Sequence, residues 1–75
     1  MSTPHQRLHI RTLLYELDIP TGTVTEDLVR NAEAASIPKG PLLEIGQRTD
    51  RFLESLTTPQ AKALAQTLLT GEGVA

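Results

Sequence analysis

Apolar residues recur along this chain with a helical period. Ile10, Leu13, Leu14 and Leu17 follow the i, i+3, i+4, i+7 pattern of a single buried stripe. The spacing predicts a first helix from about Pro4, capped by Thr3, to about Asp18, because Pro20 disfavours helical backbone at Ile19. A second helix is expected from the capping-box spacing of Thr23 and Glu26, with Val24, Leu28, Ala32 and Ala35 on its inner face and Val29 on the flank. A third is expected from Pro41 to about Leu56, with Leu42, Ile45, Thr49, Phe52, Leu53 and Leu56 facing inward and Glu44 paired with Arg48. Gly46 falls inside that stripe, which suggests close approach by another helix. The fourth begins at Thr58, its expected cap, with Pro59 in the first position. It runs over Ala61, Leu64, Ala65 and Leu68 to a Gly71 cap. The expected fold is all-α: a compact bundle of four short helices in one domain, residues 1–70, with residues 71–75 as a flexible tail.

Two connectors share one pattern. Residues 19–22 read Ile-Pro-Thr-Gly and residues 37–40 read Ile-Pro-Lys-Gly. In each, the Ile can anchor the loop in the core, the Pro stops the preceding helix and the Gly permits the next turn. Val24 matches Leu42 and Glu26 matches Glu44, so a duplicated helix–loop unit is one reading and convergence on a good connector is the other.

Composition narrows the function. A chain of 75 residues buries little surface, and without Cys it has neither disulfides nor thiolate metal sites. Tight helix packing or oligomerisation remains to stabilise it. The net charge of −2 disfavours broad non-specific nucleic-acid binding. The polar start of the chain lacks a secretory signal and no apolar run reaches the length of a membrane span, so the cytoplasm is the expected location. Ser2, Ser36 and Ser55 lack a nucleophile-elbow context, and the Gly spacing matches no phosphate loop. Neither catalysis, a cofactor nor a small-molecule substrate is expected. His5 and His9 have the i, i+4 spacing of paired metal ligands, but nothing near them completes a site, so no metal is expected.

The chemistry with most content lies on the first helix, opposite its core stripe. Leu8 and Tyr15 are seven residues apart and share a face, with Arg11 and Thr12 between them. An apolar–aromatic pair beside an Arg has the composition of an interface core. Leu8, Arg11, Thr12 and Tyr15 are therefore the expected contact with another protein or with a second copy, most simply in a homodimer. Leu43, off the third stripe, and Leu69, at the edge of the fourth, are further surplus apolar residues. The expected function is a small, non-enzymatic interaction module of the adaptor or inhibitor type.

A second reading comes from residues 16–37. Leu17, Ile19, Val24 and Leu28, with Thr23-Val24-Thr25-Glu26-Asp27-Leu28, resemble the helix-turn-helix of bacterial and phage repressors. The resemblance implies a DNA-binding transcription regulator. Its recognition helix would begin near Thr23 and present Thr21, Thr23, Thr25, Glu26 and Arg30 to the major groove. Asp18 stands where that motif usually has a turn Gly, and Glu26 and Asp27 oppose a single Arg30.

Overall fold

A computed structural model describes residues 1–71 of the chain. Four α-helices lie among them: α1 (Pro4–Glu16), α2 (Glu26–Ala34), α3 (Thr49–Ser55) and α4 (Thr58–Thr70), with a single 3-10 turn at Pro41–Leu43. The all-α bundle expected from the periodicity is the fold. The expected tail beyond Gly71 lies outside the described residues.

α1 and α2 both pack against α4, while α3 packs against α1 and the 3-10 turn. Ala61, Leu64 and Leu68 of α4 are buried together with Ile10 and Leu14 of α1, Leu28 and Ala32 of α2, and Phe52 and Leu53 of α3. α1 and α4 begin in the same way. Thr3 and Thr57 each accept a hydrogen bond from the N–H of a Gln three residues on, and each Gln side chain returns the bond. The fourth helix is therefore capped by Thr57, one residue before the expected Thr58. The two first turns are also joined. Gln6 Nε2 donates to the Thr58 carbonyl at 3.3 Å, and Thr58 Oγ1 to the Met1 carbonyl at 2.9 Å. Buried Ser2 completes the join, its N–H bonding the Leu56 carbonyl and its Oγ the Leu53 carbonyl, both at 2.6 Å.

The repeated connector is a helix-ending device, although not through its Gly. Asp18 and Ser36, the residues before each Ile, have φ of 59° and 62°. The N–H groups of Asp18 and Ile19 bond the carbonyls of Tyr15 and Leu14 at 3.1 and 2.9 Å; those of Ser36 and Ile37 bond Glu33 and Ala32 at 3.0 and 2.9 Å. This is the Schellman arrangement, with Ile19 and Ile37 buried over the ends of the helices they close. The expected role of Gly22 and Gly40 in the turn is not what is found. Neither has positive φ, and a Cβ on either meets nothing within 4 Å. The correspondence stops there, because the first connector leads into an α-helix and the second into a 3-10 turn. A non-glycine residue in the left-handed region costs about 1 kcal/mol. Ser36→Gly is therefore expected to raise stability by about 0.5–1 kcal/mol in urea unfolding, less any entropy the Gly adds to the unfolded chain.

Two expected boundaries are corrected. The cap of α2 is Thr25, whose Oγ1 accepts from the Leu28 N–H, and not Thr23. Thr23 is held instead in an antiparallel bridge to Arg48. Around it, Val24 N–H donates to Gln47, Gly46 N–H to Val24, and Thr49 N–H to Gly22, at 2.7, 2.9 and 3.2 Å. This stitch between two loops also breaks the third helix. Gly46 has φ of 95°, which an α-helix cannot contain, so Pro41–Leu56 is a 3-10 turn, a loop and the short α3. A Cβ on Gly46 would meet nothing within 4 Å among the described residues, so the expected close approach of another helix is not found. The broken register moves side chains. Leu43 is buried while Leu42 is half-buried, and Ile45 is 70% exposed. Arg48 bonds Asp50 instead of Glu44. Leu17, expected in the α1 stripe, is 40% exposed as the residue that caps the helix.

Candidate functional site

At about 100° per residue, the core-facing line of α1 runs through Ile10, Leu13 and Leu14, all buried. Leu8 and Tyr15 fall on the opposite line and are 62% and 78% exposed. The core cluster closes without either side chain. Thr12 and Arg11 are exposed between them, one on each flank. Thr12 Oγ1 donates to the Leu8 carbonyl at 3.0 Å, so its methyl completes the outer strip. The four interface residues expected from the sequence thus form one continuous outward face.

Each flank leads onto a different helix. On the Thr12 side, His9 shares a cleft with Ala61, Lys62, Ala65 and Leu69 of α4, and Leu69 is 60% exposed. On the other side Arg11 reaches the field of Asp50 at the start of α3. Desolvation pushes the Asp50 carboxyl up, but the Arg48 bonds at 3.2 and 2.9 Å, the Arg48 charge, the Arg51 N–H at 3.0 Å and the Arg11 charge outweigh it. The net effect is a carboxyl below its ordinary value. Its contribution to stability is present above the unfolded value of 3.8 and is lost as pH falls through the lowered folded value.

The residues of the DNA reading are placed differently. Thr21 and Thr23 lie in the connector, Thr23 in the loop stitch. Thr25 caps α2 with its hydroxyl oxygen, Glu26 opens the helix, and Arg30 is paired with Asp27 at 2.8 Å. Residues 17–25 separate α1 from α2, a nine-residue connector where a helix-turn-helix has a turn of about 3–4 residues.

His5 and His9 are exposed on α1, and among the described residues no three His, Asp or Glu side chains gather to hold a metal ion. One feature escaped the sequence reading. The loop 37–43 arches over Phe52 and Leu56, leaving an apolar cleft of about 220 Å³. The 3-10 turn Pro41–Leu43 lines one side of that cleft, where the sequence predicted the first turn of a longer helix.

No helix among the described residues is long and apolar enough to cross a membrane. Comparison with known protein families, with curated proteins and with solved structures yields no match for this chain.

Proposed function

We propose that this chain is a small non-enzymatic interaction module, an adaptor or inhibitor type of regulator, that binds protein through the outer face of α1. One observation carries the reading: Leu8 and Tyr15 stand outside a core that is complete without them. Tyr offers a large contact area at low entropic cost, and Arg11 beside it supplies a charged, planar group. Isolated exposed apolar residues are common on any protein. Here two large ones lie two helical turns apart on one line, flanked by Thr12 and Arg11, and that alignment makes them a surface.

Light scattering on the pure chain, alone and with random-sequence duplex DNA, tests the reading. A molar mass above the 8.2 kDa of one chain, unchanged by DNA, is the expected result. Binding to the duplex that falls steeply with added salt would transfer the function to the DNA alternative.

A further inference from the structure

The occupant of the α1 face can be argued from the distribution of charge along that helix. Residues 1–15 contain Arg7 and Arg11, with His5 and His9, and no carboxylate. The carboxylates then arrive together at the far end, as Glu16 and Asp18. That order opposes the helix dipole: α1 has no acidic residue in its first turn and no basic residue in its last, and it ends on Glu16. Within one chain, nothing on α1 compensates the carboxylates at its negative end.

We infer that the face binds a second copy of this chain, with the two α1 helices antiparallel about a two-fold axis between Arg11 and Thr12. The inference rests on the reading of this face as a protein contact and adds the partner and its orientation. Antiparallel pairing lays the acidic end of each helix along the acid-free start of the other, whose outer flank carries His5 and His9 while Arg7 is held inward on the Ser2 carbonyl. Setting Leu8 against Tyr15 of the second copy fixes the register, because both lie on the outward line. In that register Glu16 comes level with position 7 of the other helix, between His5 and His9. A two-fold axis brings like flanks together, and Glu16 lies on the His5 and His9 flank. Asp18, just past the end of α1, lies toward the start of the other helix, the positive end of its dipole. The opposite flank brings the two Arg11 side chains near one another, and each has Asp50 of its own chain within its field. The contact is isologous, so each favourable pairing occurs twice. A helix of 13 residues is about 20 Å long, which sets a small interface of the weakly associating kind.

The chain has no Cys, so single cysteines report the orientation directly. In the inferred dimer Thr12 lies near its own copy, whereas two Leu8 residues are seven positions, or about 10 Å, apart along the axis. Three full-length variants are oxidised at millimolar concentration, so that association survives the loss of a contact residue, after circular dichroism confirms their fold: Thr12→Cys, Leu8→Cys and Tyr15→Cys. Thr12→Cys is expected to form a disulfide dimer by itself. An equimolar mixture of Leu8→Cys and Tyr15→Cys should give the mixed dimer, identified by mass, roughly tenfold faster than either variant links to itself. Self-linking of Leu8→Cys as fast as the mixed reaction would overturn the antiparallel arrangement. A parent chain that stays monomeric at millimolar concentration, with no variant linking, would overturn the second copy as occupant. In that outcome the face would still stand as a contact for a different protein, unless removing Leu8 and Tyr15 also unfolds the chain.

Discussion

Leu64→Ala is expected to cost about 3 kcal/mol in denaturant unfolding and to lower the melting temperature by roughly 15 °C. Leu64 is fully buried at the centre of α4, the helix on which both α1 and α2 pack. Its loss removes the transfer free energy of the side chain. It also opens a cavity that three elements would have to move together to close. A domain of this size has a total stability of about 4–11 kcal/mol, so the substitution removes a large share of it. Unfolding followed by far-ultraviolet circular dichroism checks this, since helix content reports the whole fold. A cost under about 1 kcal/mol would mean that α4 is not the centre of the core.

Tyr15→Ala should have the opposite profile. More atoms are removed, but from a side chain that is 78% exposed, so the change in folding stability should stay within about 0.5 kcal/mol. Association is where the loss should appear. A central interface Tyr commonly contributes 2 kcal/mol or more, which corresponds to a weakening of about 30-fold. Sedimentation equilibrium across a range of concentrations measures this against the parent chain. The contrast between Leu64 and Tyr15 separates the side chains that hold the fold from those that use it.

The helices with local signals were the legible ones. α1 and α4 each carry a Thr cap, a Pro in the first turn and a continuous stripe of Leu, Ile or Ala, all within the span of one helix. The outward position of Leu8 and Tyr15 was legible for the same reason, because they can be placed opposite Ile10, Leu13 and Leu14 by counting residues. What misled was non-local. Thr23 and Glu26 have capping-box spacing, but Thr23 is taken by Arg48, twenty-five residues away, and Thr25 caps instead. The same stitch fixes Gly46 and Gln47 against Val24, which stops a helix whose apolar period runs on unbroken through the sequence. Leu43 turns inward at the end of the tighter 3-10 turn, and Ile45 turns outward in the loop that follows it. Helical periodicity cannot report a pairing between two loops. The end of α1 near Asp18 was anticipated from Pro20, but not that Asp18 and Ser36 themselves take the left-handed conformation, since Gly is the usual residue there and here a polar residue adopts it.

Whether the first helix presents a surface free for binding is decided most directly by the double variant Leu8→Ala/Tyr15→Ala, unfolded with urea at a concentration low enough to keep every species monomeric. The expected unfolding free energy lies within about 0.5 kcal/mol of the parent chain. A loss of about 3 kcal/mol or more, the size expected for buried side chains, would show that the two residues belong to the core and would contradict a free surface there.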